Sequence, residues 1–302
     1  MKFSSNGKLK DEIVLYIGFK TFFMKKNEIT EFIESQFKKI GRPFHKSIIN
    51  FEAENIQEFL IEIKKLKTFL HLINMESKDG LSCRISKRMK TIYGYFGIIR
   101  NLQLQLKEVK EYPKRSIYKA PVSYINNLEK EMEYWKRIIF DFIDVDYNFM
   151  SDKQELLANL PDKLTKKSVI NFIHYTLYEL NTLEGRADDE ALDNLRKFIE
   201  DIYYNYALIK PFIREQQSSF LNEKAIEECV ELFNNFDDKS RALALLQTFD
   251  GNRLELTEKH LLKEMENERL NEKKDVKNRL ISFLDSMNIK ANNPKARAIT
   301  SR

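Results

Sequence analysis

Hydrophobic residues recur along this chain at three- and four-residue steps over long stretches, the spacing of amphipathic helices. The clearest case is "NIQEFLIEIKKLKTFLHLI". There Ile56, Phe59, Leu60, Ile63, Leu66, Leu70 and Ile73 repeat at helical spacing, which predicts a helix from Asn55 to about Ile73. "SKDGLS" breaks the pattern with Gly80 as its stop, and a second helix is predicted from about Ser82 to Val109, ahead of Pro113. "YPKRSIYKAP" reads as a loop. A third helix follows from about Val122 to Phe149 and carries the single tryptophan, Trp135. Pro161 opens two further segments, "KKSVINFIHYTLYELNTL" and "DDEALDNLRKFIEDIYYNYALI", the latter ended by Pro211. Two more helices are predicted near 224–247 and 257–285. Residues 10–40 fit one or two helices, or a short strand near "IVLYIGF", and "IKANNPKARAITSR" reads as a frayed basic tail.

About eight helices with short connectors predict an all-α helical bundle. Composition agrees: among 302 residues there are only 8 glycines and 6 prolines, so few breakers interrupt the elements. The apolar share of 42% is enough for a packed core. The expected organisation is an N-terminal helical extension over 1–50, a bundle over 51–285 with halves at about 51–150 and 162–285, and the tail over 286–302.

Charge narrows the function. A net charge of +5, from 51 basic and 46 acidic side chains, means that an anionic ligand must be held by a local cluster. Cys83 and Cys229 stand 146 positions apart, which is neither a disulfide framework nor a zinc spacing, and fits a cytoplasmic protein. The start "KDEIVLYIGFKTFFMKK" is acidic in front, broken by Lys20 and lacks a small-residue cleavage site, so it reads as mature protein. No apolar run reaches the roughly 18 residues of a membrane span, and no membrane association is expected. A Gly-rich phosphate loop and a His-x-x-x-His spacing are both missing from the sequence. Acidic pairs such as Asp144/Asp146 and Asp237/Asp238 are unremarkable among so many carboxylates, so no enzyme, metal or cofactor is expected.

The sequence also contains an approximate internal repeat. "NIQEFLIEIKKLKTFLHLI" matches "LDNLRKFIEDIYYNYALI", and "YFGIIRNLQLQL" matches "LFNNFDDKSRALALL", at an offset of 136 to 137 residues. In each half a long amphipathic helix is followed about 44 residues later by a short polar break and another helix. Two such halves would pack as a pseudo-twofold bundle with equivalent faces across one groove.

This arrangement resembles the CHAD family, the conserved histidine α-helical domain, over about residues 50–250. In that family the first helix of each half reads roughly His-x-x-Arg-x-x-x-Arg-Arg-x-Arg, with lysine able to replace arginine. Lys64, Lys65 and Lys67 fall on its basic positions in the first half; in the second Arg196 matches, with Lys197 directly after it. Gln57 and Asp193 stand where the family histidines belong, Leu60 replaces an arginine, and Glu200 occupies a basic position. The family's Leu-Gly-x-x-Arg/His-Asp break retains Gly97 and Arg100 in "FGIIRN", with Asn101 for the aspartate, and Asp238 and Lys239 in "LFNNFDDK". The resemblance implies a helical bundle that binds inorganic polyphosphate along a basic surface, with association to polyphosphate granules.

On a helix, residues 57, 60, 64, 67 and 71 form one stripe, which reads Gln, Leu, Lys, Lys, His. Its cations are spaced about 5 to 6 Å apart, comparable to the repeat of an extended phosphate chain. The same row is equally consistent with the wet side of an amphipathic helix. "CRISKRMK" supplies a second basic cluster, in which Arg84, Lys87 and Arg88 share a face. The candidate polyanion site is therefore Lys64, Lys65, Lys67, His71, Arg84, Lys87, Arg88, Arg100, Arg196, Lys197 and Lys239. A helical protein–protein interaction scaffold that has lost this site is the alternative. Nucleic acid is disfavoured, because no stacking or base-reading groups accompany the cations.

Overall fold

The computed structural model describes residues 24–76, 83–112, 120–143, 147–182, 188–213, 222–250 and 254–286. The described residues form an all-α bundle with two very short strands. In chain order these are β1 (Met24–Lys25), α1 (Lys26–Asn50), α2 (Ala53–Asn74), α3 (Lys87–Glu111), α4 (Val122–Phe142), α5 (Met150–Ala158), β2 (Lys163–Leu164), α6 (Lys166–Thr182), α7 (Asp189–Ile213), α8 (Glu223–Thr248) and α9 (Leu256–Ser286). β1 and β2 pair antiparallel, Met24 opposite Leu164 and Lys25 opposite Lys163.

The apolar spacing that predicted α2 is what buries it. Ile56, Phe59, Ile63, Leu66, Phe69, Leu70 and Ile73 all lie in the core. α1 is part of that same core. Its Ile29, Ile33, Phe37, Ile40 and Phe44 are buried, and the Phe44 ring lies 4.7 Å from Phe149, 5.6 Å from Phe59 and 6.1 Å from Phe96. The chain turns between α1 and α2 at Phe51, which adopts φ 52°, and its N–H reaches the Ser47 carbonyl at 2.9 Å. This turn sits where the boundary between the extension and the bundle was expected, yet the hydrophobic core runs across it. The segment before residue 24, including "IVLYIGF", and the tail from residue 287 lie outside the described residues.

Several helix ends differ from the sequence expectation, each for a local reason. α3 starts at Lys87 rather than near Ser82, because Ser86 is its cap and accepts the Met89 N–H at 3.0 Å. The expected helix over 122–149 stops at Phe142, where Ile143 turns extended, and Phe149 at φ 59° leads into the separate short helix α5. Pro211 does not end α7. It sits in the last turn, where the lost N–H breaks only one terminal bond, and buried Phe212 and Ile213 continue the helix past it.

A smaller hydrophobic cluster lies at one end of the bundle. Leu102 and Val109 of α3, Tyr124 and Leu128 of α4, and Leu261 and Met265 of α9 fill it. The same long helix α9 also sends Val276 and Leu280 into the main core. α7 lies against α2, and α8 against α3, which places the two predicted repeat segments face to face. No helix among the described residues is long and apolar enough to cross a membrane.

Candidate functional site

The predicted stripe on α2 exists, but it does not line an open positive channel. α7 and α3 flank it, and Gln57, Lys64, Lys67 and His71 each meet a side chain from one of them. At its N-terminal end Gln57 accepts a hydrogen bond from Arg100 Nε of α3 at 3.0 Å. Burial of the Arg100 guanidinium works against its charge, and Asp238 and Glu54 partly restore it.

Lys64 donates to Glu200 of α7 at 2.7 Å, and Arg196, one turn earlier on α7, reaches the same carboxylate at 3.0 Å. Arg196 also binds Asp193 at 2.6 Å. Burial disfavours the Arg196 charge, but Glu200, Asp193 and Asp237 outweigh it and hold its pKa above the ordinary value. Lys67 is the most exposed of the stripe, although its ammonium rests 5.3 Å from the centre of the Tyr93 ring. Desolvation of that ammonium lowers its pKa, and the nearby Lys64 and Arg196 push the same way, against Glu200 and Asp201. Cations from α2 and α7 thus meet at one carboxylate, Glu200.

His71 closes the stripe. Its Nδ1 lies 2.6 Å from Asp201 Oδ2, and its ring packs edge-on to Phe172 and Tyr175. The hydrogen bond to Asp201 raises the His71 pKa, opposed by burial. Burial raises the Asp201 pKa, because the low-dielectric surroundings penalise its charge more than His71 relieves it.

The remaining candidates divide. Lys197, on the rim, binds Asp193 at 2.7 Å and so belongs to the same locus. Lys65 points away from it, to Glu62 at 2.5 Å, and Glu62 in turn accepts from Gln36 of α1 at 2.7 Å. Arg88 stacks 4.3 Å from the Tyr147 ring and donates to the Phe142 carbonyl at 3.4 Å, beside the α4–α5 connection. Arg84 and Lys87 are exposed at the start of α3. Lys239 is held by Glu272 at 2.9 Å and Glu108 at 3.7 Å and lines a cavity of about 110 Å3 between α3 and α8. The structure thus gathers Lys64, Lys67, His71, Arg196 and Lys197, with Arg100 adjoining through Gln57. Lys65, Arg84, Lys87, Arg88 and Lys239 pair elsewhere or stand apart from that group.

Two participants escaped the sequence reading: Asp201, which holds His71, and Tyr93, which underlies Lys67. Asp201 stands 136 residues after Lys65, on a basic position of the motif, so the repeat marks its place but not that it faces His71; nothing in the spacing marks Tyr93. The repeat offset is a signal that does find contacts. Lys64 and Glu200 are 136 residues apart, and Thr68 and Asn205, joined by a 2.9 Å hydrogen bond, are 137 apart. Both contacts join α2 to α7.

No protein-family profile matches the chain, and no curated protein matches it. A solved structure does: the CHAD domain from the plant Ricinus communis, at 13% sequence identity and a TM-score of 0.54, covering 88% of each chain. The chain therefore has the CHAD fold.

Proposed function

We propose that this chain is a non-enzymatic, CHAD-type helical module that binds inorganic polyphosphate, or a polyanion of the same repeating phosphate chemistry, at the α2–α7 junction. One observation carries the reading. Lys64, Lys67 and His71 of α2 meet Arg196 and Lys197 of α7 around Asp193, Glu200 and Asp201, while Asp237, which also acts on Arg196, is balanced by its 2.9 Å pair with Arg241; with His71 protonated, five cations then face three anions. The surplus of positive charge is local, as the near-balanced whole-chain charge demands. Lysine ammoniums act as point charges without a fixed fork geometry, so they tolerate a flexible chain of phosphates. A bound chain would exchange with the carboxylates already on Lys64 and Arg196, and the contact would be strongly salt-dependent. The module would act in the cytoplasm and gather on polyphosphate granules.

The direct test is titration of labelled long-chain polyphosphate at several salt concentrations, with a short single-stranded DNA as competitor. Binding that weakens steeply with salt, resists DNA and falls on combining Lys64→Gln with Lys67→Gln in a folded protein supports the site. Binding unchanged by those substitutions refutes it.

A second reading, a protein-interaction scaffold, has its own support. α4 leaves Tyr134, Phe140 and Phe142 at least partly exposed. Aromatic residues are enriched at protein contacts. Absence of polyphosphate binding even at low salt would favour this reading.

A further inference from the structure

Within the repeat, Lys64 and Glu200 occupy equivalent positions, and they are in contact. Two cations in those places would repel one another and require an anion from solution between them. With glutamate in the second half, the pair satisfies itself at 2.7 Å. The substitution does more, because Glu200 also takes Arg196, at 3.0 Å. Asp193 and Asp201 extend the effect along α7: Asp193 holds Arg196 and Lys197, and Asp201 holds His71. Glu200 and Asp201 are both buried and fixed on a packed helix, so little further side-chain ordering is needed to keep them on their cations.

Resting on the polyanion reading above, we infer that the α7 carboxylates, Glu200 foremost, are built-in competitors that set which anions the site accepts. A phosphate ligand has to displace fixed carboxylates from Lys64 and Arg196, and a short or sparsely charged anion gains too few contacts to do so. A long, densely charged chain engages Lys67 and Lys197 at the exposed rim first and then replaces the inner pairs. Glu200 is accordingly a specificity-determining residue, and selectivity for chain length is its consequence.

The experiment compares the full chain with Glu200→Gln and Asp193→Asn, using long-chain polyphosphate and tripolyphosphate as probes at fixed pH and salt. Glu228→Gln, an exposed change on α8, controls for the added net charge. Glu200→Gln is expected to bind long-chain polyphosphate on the order of tenfold more tightly, and to gain measurable affinity for tripolyphosphate. The control should change neither. Asp193→Asn lies on the half-exposed rim and provides a variant that leaves the buried pair intact. If the wild type binds and both folded variants bind no better, or no better than the control, the inference is overturned while the polyanion reading stands. Binding by the variants alone supports the carboxylates as blockers and overturns polyphosphate as the wild-type ligand. No binding by any protein at low salt overturns both.

Discussion

Asn205 Nδ2 donates to the Thr68 carbonyl at 2.9 Å, from the buried face of α7 to the backbone of α2, and the two residues stand 137 apart, one more than the offset that relates Lys64 to Glu200. The same amide nitrogen donates to the Asp201 carbonyl at 2.9 Å, so one side chain ties both helices at the level of His71. Asn205→Ala removes a buried donor and leaves the Thr68 carbonyl short of a partner. Urea denaturation should report a loss of about 1–3 kcal/mol with little change in slope. Asn205→Asp should cost more, because a carboxylate would face two carbonyl oxygens.

Phe44 tests whether α1 is integral to the bundle. Its ring is fully buried among Phe59, Phe96, Tyr147 and Phe149. Phe44→Ala should destabilise the whole protein by about 3–5 kcal/mol in one cooperative transition. An early partial transition, with the rest melting at the wild-type midpoint, would mean that α1 folds separately.

The His71–Asp201 pair makes stability depend on pH in a definite direction. The His71 pKa is raised from 6.5 in the folded state, so the folded protein holds this proton more tightly than the unfolded chain. Its stabilisation is complete below about 6.5 and is lost as pH rises through the raised value. Asp201 acts in the same sense at lower pH, because its folded pKa is raised from 3.8. Thermal melts from pH 6 upward should show falling stability in the wild type and a flatter profile in His71→Gln. Equal slopes in both proteins would place the dependence elsewhere.

Ser86 decides where α3 begins. Its Oγ accepts the Met89 N–H at 3.0 Å and donates to Asp152 of α5, whose carboxylate also accepts from the Tyr147 hydroxyl at 2.8 Å. Ser86→Ala should lower stability by about 1 kcal/mol from the cap alone. A larger loss would measure the added link to α5. Calorimetry on Ser86→Ala and Ser86→Asn separates the two, since asparagine restores the cap.

Much of the architecture was legible because apolar periodicity is a local property. Ile56 to Ile73 repeat at helical spacing whatever they pack against, and α2, α3 and the helices of the second half lie close to where that spacing puts them. Helix ends were less legible. Ser82 and Ser86 both have the side chain of a helix cap, and contacts from other helices accompany the second: Asp152 accepts from Ser86, and Asn74 holds the backbone of Cys83 just before it. The break after Phe142 was hidden for a similar reason: the residues around it mix apolar with acidic side chains, and their sequence does not say that Phe149 turns back towards Phe44 and Phe59.

The sequence by itself determined most of the helices and the row of Lys64, Lys67 and His71 along one stripe, since both follow from spacing within a segment. Tertiary structure alone decided what those cations face. Glu200 and Asp201 are distant in sequence and come from the other half, and an ion pair exists only once two helices have packed at a fixed register. Charge acts through space at a few ångströms, so whether a lysine row is an open binding surface or an occupied one is a property of the packed helices rather than of the row.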